Sequence, residues 1–336
     1  DGMWFATRGA VSSYKNERWK TFTRDEGLAG ANITSIAVVG NYVWFGTDEG
    51  ISRLNKSTLK WDNFSAGKTG LVSNYATSVL VDGKYIWVGT KAGLSRYDDT
   101  TGEWRTYSAD SGLLDNHITA LAADPRFVWV GTRSGLNRYD KNADRWSGYT
   151  TADGLSNDVI TSLALDEKKV CAATKRGFNV MDRGTEKWTG YTGEPINAVT
   201  IQGGMDAVWL GGRGNIRQHD ISTGVVRTFT DADVEGISHV NVFGIQDTAK
   251  YIWFATDGGI FRYNKLNNTW WTYSPTRQRG SRETLVDDSV RAITGDKDFI
   301  YFGTPAGISR YDRVTGNWLN YTADTGGLMD SDVYSL

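Results

Sequence analysis

One four-residue string recurs along the chain and limits its fold more than anything else. Trp44-Phe45-Gly46-Thr47 returns as Trp87-Val88-Gly89-Thr90 and Trp129-Val130-Gly131-Thr132. Looser copies are Trp4-Phe5-Ala6-Thr7, Cys171-Ala172-Ala173-Thr174, Trp209-Leu210-Gly211-Gly212, Trp253-Phe254-Ala255-Thr256 and Tyr301-Phe302-Gly303-Thr304. Successive copies start 38 to 48 residues apart, so the 336 residues hold eight units of about 42. A period of this size marks a repeat architecture in which each unit is one supersecondary element.

Four short segments surround each anchor. In one copy they are 76–82, 85–90, 93–98 and 103–107, rich in β-branched and aromatic residues and separated by Gly, Asp, Asn or Lys. Four strands per unit of this length is the spacing of a propeller blade. The pattern predicts an all-β chain, a single eight-bladed β-propeller over 1–336 with four antiparallel strands per blade. The blades are expected near 33–65, 76–108, 118–150, 160–192, 196–230, 240–274, 290–322, and 333–336 plus 1–23. The chain starts on a second strand and ends on a first strand, so the C-terminal strand is expected to complete the N-terminal blade. That closure removes two exposed sheet edges.

The fourteen Trp fit the same scheme. Six are anchors. Seven more, Trp19, Trp61, Trp104, Trp146, Trp188, Trp270 and Trp318, recur on the fourth strand, with Trp271 beside one of them. Their expected role is packing blade against blade. The Gly two residues after the anchor Trp in four of the six copies shares its face of the strand, which lets neighbouring blades approach closely.

Charge and composition exclude several functions. With 37 Lys+Arg against 39 Asp+Glu, the chain lacks the basic field of a general nucleic-acid binder. No apolar run approaches the roughly 18 residues of a membrane-spanning helix, so no membrane insertion is expected. The residues at the N-terminus show no signal-peptide pattern, which a mature protein would have lost. A single Cys, Cys171, rules out an intramolecular disulfide and a Cys-based zinc site. No P-loop, dinucleotide fingerprint, Gly-x-Ser-x-Gly or His-Glu-x-x-His is present. No cofactor and no metal site are expected. Asp231 to Gly236 resembles the start of a calcium loop but lacks its spacing and closing Glu.

The stretch Gly112-Leu113-Leu114-Asp115-Asn116-His117-Ile118-Thr119-Ala120-Leu121, followed by Val128 to Asp140, resembles the two-component-regulator propeller repeat. The resemblance extends over nearly the whole chain and rests on residues that hold the fold. It implies an extracytoplasmic, periplasmic or secreted, bacterial protein of the kind that forms sensor propellers. Other propellers match less well. The Gly-His pair of WD40 repeats is absent, and Trp-Asp occurs only at Trp61-Asp62. Asp98 to Trp104 is similar to a quinoprotein docking motif shortened by one residue. Streptogramin-type lyases and some polysaccharide lyases are also propellers.

In a repeat protein, residues that depart from the repeat are the functional candidates. The residues before each first strand align as Asn32, Tyr75, His117, Val159, Pro195, His239, Ser289 and Asp332. Two positions on, the ring reads Thr34, Thr77, Thr119, Thr161, Asn197, Asn241, Arg291 and Tyr334. Tyr75, His117, His239, Arg291, Asp332 and Tyr334 are therefore candidates for binding at the channel mouth, set against a plain reading as solvated loop residues. The longest inter-blade loop adds Arg277, Arg279 and Arg282 as candidates for an anionic group. Arg53, Arg96, Arg138, Arg262 and Arg310 recur on third strands and are expected to stack or pair structurally.

These residues lead to an expected binding and interaction propeller, a monomeric ring, with an anionic small molecule or glycan, or a protein, as partner. Two rivals remain. One is a lyase acting at the mouth, with a His–Tyr pair for proton transfer and Arg291 on a uronate. The other is a scaffold subunit of a larger assembly.

Overall fold

The computed structural model describes residues 2–203, 206–276, 285–325 and 327–336. Within them the chain forms eight four-stranded antiparallel sheets. Blade one runs Ile33–Val39, Tyr42–Thr47, Ile51–Asn55 and Trp61–Phe64. Blades two to seven repeat this order from first strands Ala76–Asp82, Ile118–Ala123, Ile160–Leu165, Ile196–Gln202, Val242–Asp247 and Ala292–Gly295. Blade eight is made from both ends. Val333–Ser335 pairs antiparallel with Met3–Thr7, and Ala10–Lys15 and Arg18–Phe22 complete the sheet. First strands of successive blades touch all round, and Val333–Ser335 touches both Ala292–Gly295 and Ile33–Val39. The ring is closed as the strand pattern predicts.

Blade six departs from the predicted bounds. Its first strand begins at Val242, because Ile237–His239 forms a 3-10 turn whose Ile237 is buried in the core. That turn uses two residues that the repeat alone would assign to the approach to the strand. The matching ring positions in blade six are thus Asn241 and Phe243, not His239 and Asn241.

Second strands are buried almost throughout, since each sheet is covered on both faces by its neighbours. Trp44, Trp87, Trp129, Trp209 and Trp253 are fully buried. Each is worth roughly 4–6 kcal/mol by buried-area bookkeeping, an upper bound. The anchor glycine sets how closely blades approach. A methyl on Gly89 would lie 2.7 Å from Ile118 Cγ2 of the next blade, and one on Gly211 would lie 2.4 Å from Val242 Cγ1.

The recurring Thr-x-x-Gly also has a local cause. Thr47, Thr90 and Thr132 hydroxyls donate to the carbonyls of Gly50, Gly93 and Gly135 at 2.7–2.8 Å, closing the hairpin between second and third strands. Gly93 has φ +141°, and a Cβ there would also meet the Tyr107 carbonyl oxygen at 2.7 Å. A buried Ser or Asn on the third strand then ties down the loop that leads into its own blade. Ser95 Oγ accepts from the Val72 N–H, and Asn137 Oδ1 from the Leu114 N–H.

Third-strand arginines seal the outer radius. The Arg53 guanidinium lies 5.3 Å from the Trp44 ring and 5.7 Å from the Phe64 ring, and pairs with Asp62 and, in the next blade, Asp99. Arg262 lies 5.1 Å from Trp253 and 5.2 Å from Tyr273, and donates to the Tyr311 hydroxyl of the next blade.

His219 occupies the position that Tyr97, Tyr139, Tyr263 and Tyr311 hold in other blades. It is fully buried, with ring centroids 5.2 Å from Phe178 and 4.2 Å from Tyr191.

Two outcomes are expected. Gly211→Ala should destabilise the ring by about 1–3 kcal/mol through overpacking, read by chemical denaturation. Burial holds the His219 pKa below its ordinary value. The unfolded chain therefore takes up this proton first. The contribution is complete above the unfolded pKa of about 6.5 and is lost as pH falls from there through the folded pKa. Denaturation midpoints measured from pH 8 to pH 5 should fall less steeply in His219→Tyr than in the wild type.

Candidate functional site

The strands fix one end of the ring in detail. Each first strand begins with an apolar residue paired to the end of the second strand, and the register then shifts by one residue. The bulged positions are Thr34, Thr77, Thr119, Thr161, Asn197 and Phe243. Tyr334 bulges in the same way in blade eight. Arg291 takes this place in blade seven, its N–H donating to the Gly303 carbonyl. A bulge redirects a side chain out of the ladder. The hydroxyl of Thr77 accordingly donates to the Ile118 carbonyl at 3.0 Å, linking blades two and three.

The candidates read from sequence separate into groups. Arg291 and Asp332 meet, Nη1 to Oδ1 at 2.6 Å, with both side chains more than a third exposed. The Tyr334 hydroxyl donates to the Thr7 carbonyl at 2.9 Å, and burial pushes its pKa up. His239 lies outside the ring positions, 79% exposed at its side chain, with Nε2 3.2 Å from Asp231. Asp231 also accepts from the Ser238 N–H, so the stretch from Asp231 is closed on itself. Tyr75 lies under the Lys91 ammonium, 3.6 Å from its ring centroid. Arg277, Arg279 and Arg282 fall outside the described residues.

His117 has different surroundings. It lines a cavity of about 360 Å³ with Thr119, Arg133, Thr161, Lys175 and Asn197, drawn from blades three, four and five. Burial is the main cause that lowers its pKa; Arg133 and Lys91 lower it further, against Asp115. The imidazole is thus a neutral donor–acceptor in a positive field.

That field comes from residues the sequence reading passed over. The residue directly after each second strand is Arg8, Asp48, Lys91, Arg133, Lys175, Arg213, Asp257 or Pro305. Lys91, Arg133, Lys175 and Arg213 fall on four successive blades, are exposed, and form no ion pair among the described residues. Asp48 and Asp257 bound this arc and are each held by an Asn side chain, Asn32 and Asn241. The signal was present in the repeat, one place beyond the anchor threonine.

No protein-family model and no curated protein matches the chain. Among solved structures it is similar to the extracellular domain of BT4673 from B. thetaiotaomicron, described as a one component system. The TM-score is 0.50 and identity 19%, over 95% of this chain and 45% of that one. The chain thus spans less than half of that domain's length. Virginiamycin B lyase from Staphylococcus aureus is similar with a TM-score of 0.57 and 14% identity, over 81% of this chain and 91% of that one. A chain of the mitotic checkpoint complex gives 0.59 and 16%, over 80% and 83%. At these identities what is shared is the propeller fold, which is the fold implied by the sequence resemblance.

Removing the stronger of the two positive neighbours should raise the His117 pKa. Arg133→Ala is expected to raise the His117 pKa toward its ordinary value, read as the midpoint of its imidazole proton shifts in an NMR titration.

Proposed function

We propose that this chain is an extracytoplasmic binding propeller that takes an anionic ligand at the channel mouth where the first strands begin. The observation that carries the reading is the arc Lys91, Arg133, Lys175 and Arg213, four cations on successive blades beside the His117 cavity. Charges held on a rigid ring and left without an ion-pair partner among the described residues suit an acidic ligand long enough to cross several blades. Tyr75 and His117 belong to this arc. Tyr75 offers a ring face beside Lys91, and neutral His117 offers one donor and one acceptor. The resemblance to sensor propellers and the fold shared with the BT4673 domain support an extracytoplasmic binding role, periplasmic or secreted. A uronate-rich oligosaccharide is the ligand class that fits this charge best.

Arg291 and Asp332 neutralise each other and are assigned to holding the blade seven to blade eight junction. The lyase alternative is not favoured. Of the residues read for it, Tyr334 is engaged with Thr7, Arg291 with Asp332 and Tyr75 with Lys91.

Calorimetric titration with an oligogalacturonate, at low and high salt, tests the reading. Binding is expected to weaken with salt and to fall roughly ten-fold or more in Arg133→Ala/Lys175→Ala, about 1.4 kcal/mol. Arg291→Ala should change it little. No binding, or binding indifferent to the double substitution, would contradict the proposal.

A further inference from the structure

The bulged position at the start of each first strand can be compared round the ring. In blades two and four it holds a threonine that ties its blade to the next: Thr77 donates to the Ile118 carbonyl and Thr161 to the Ile196 carbonyl. Thr119, Thr161 and Asn197, the bulged residues of blades three to five, line the mouth cavity with His117. Blade six has Phe243 in this place.

A phenylalanine side chain has no donor, so the inter-blade bond is given up there, and packing does not recover it. Phe243 is 47% exposed, the only exposed one of the chain's twelve Phe. It makes no ring or cation contact among the described residues. A lone exposed apolar residue is ordinary on a protein surface. The place of this one is not ordinary, because it continues a ring of polar residues that face the channel mouth.

Phe243 also stands at one end of the cationic arc. Arg213, the last cation of the arc, is bridged through its backbone to Asn241, two residues before Phe243. At the other end Tyr75, 40% exposed, lies under Lys91. Beyond Arg213 the sign of the charge changes, since Asp257 follows the second strand of blade six. Acid groups are therefore attracted as far as Arg213 and repelled beyond it. What Phe243 presents to the next part of a ligand is an uncharged π face.

Charge alone does not separate one polyanion from another, and a π face does. The face of an aromatic ring carries partial negative charge. The C–H bonds on one side of a pyranose meet it with partial positive charge, while the hydroxyls at the sugar's edge stay in water. An open platform suits such a half-apolar ring, whereas a wholly apolar group needs an enclosed pocket. We infer that Phe243 is a sugar-stacking platform, which selects a glycan over other polyanions by packing one pyranose ring of the acidic chain held along the arc. The inference rests on the channel-mouth reading and adds to it the residue that recognises the sugar.

Calorimetry with two polyanions matched in carboxylates tests this: hexagalacturonate, and hexaglutamate with blocked ends, which has no sugar ring. The wild type should bind the glycan about ten-fold more tightly. Phe243→Leu keeps an apolar side chain of similar bulk and should keep the wild-type melting temperature. It should weaken hexagalacturonate about ten-fold, while hexaglutamate binding and the salt dependence of both ligands stay unchanged. Phe243→Tyr should keep the preference for the glycan, and Arg133→Ala/Lys175→Ala should weaken both ligands. Equal affinity of the wild type for the two polyanions, hexagalacturonate binding unchanged in Phe243→Leu, or a loss in Phe243→Tyr as large as in Phe243→Leu would overturn the inference and leave the arc standing. Binding of neither polyanion by the wild type would overturn both.

Discussion

The whole ring depends on one close contact, repeated at every junction. The second strand presents a small residue, and the first strand of the next blade sets an apolar residue against it. Gly89 meets Ile118, Gly131 meets Ile160, Gly211 meets Val242 and Gly303 meets Val333. No room remains there for another methyl group. This fixes the separation of blades near the axis, where space is tightest. Where the glycine is replaced, the sequence allows only one more carbon, as in Ala6, Ala173 and Ala255. Gly303–Val333 is also the junction onto the C-terminal strand, so the contact that spaces the blades also seats the strand that closes the ring.

Away from the axis, neighbouring sheets diverge and the packing problem reverses. Large groups are needed to fill the widening gap, and the stacked Trp pairs with their arginines supply them. An arginine suits the place because its planar cation stacks on the rings while its edges reach acceptors in the next blade. These two packing rules account for most of the repeated residues. They also make departures conspicuous: lysines or arginines on four successive hairpins leave a positive arc, and a phenylalanine among the bulged threonines leaves an exposed ring.

Much of this was legible in the sequence. The anchor string carried the number of blades, the strand count and the closure, because each repeated residue has one packing role. Blade six shows where periodicity stops helping. His239 was aligned with the ring because only the count of residues was visible; the 3-10 turn that seats Ile237 in the core moves the register by two. Arg291 and Asp332 were both legible as departures, but their mutual ion pair joins blades seven and eight and depends on the folded ring. The arc was readable in principle, from the residue after each anchor threonine. Its meaning required knowing which charges lack partners, and a single sequence does not give that.

The central claim is that the repeated residues hold the ring and the departures from the repeat bind. A crystal structure of the protein grown with an oligogalacturonate tests it most directly. The account predicts ligand density along Lys91, Arg133, Lys175 and Arg213, with an acid group within hydrogen-bond reach of at least two of them. Ligand bound at the opposite end of the ring, with these four side chains untouched, would contradict it.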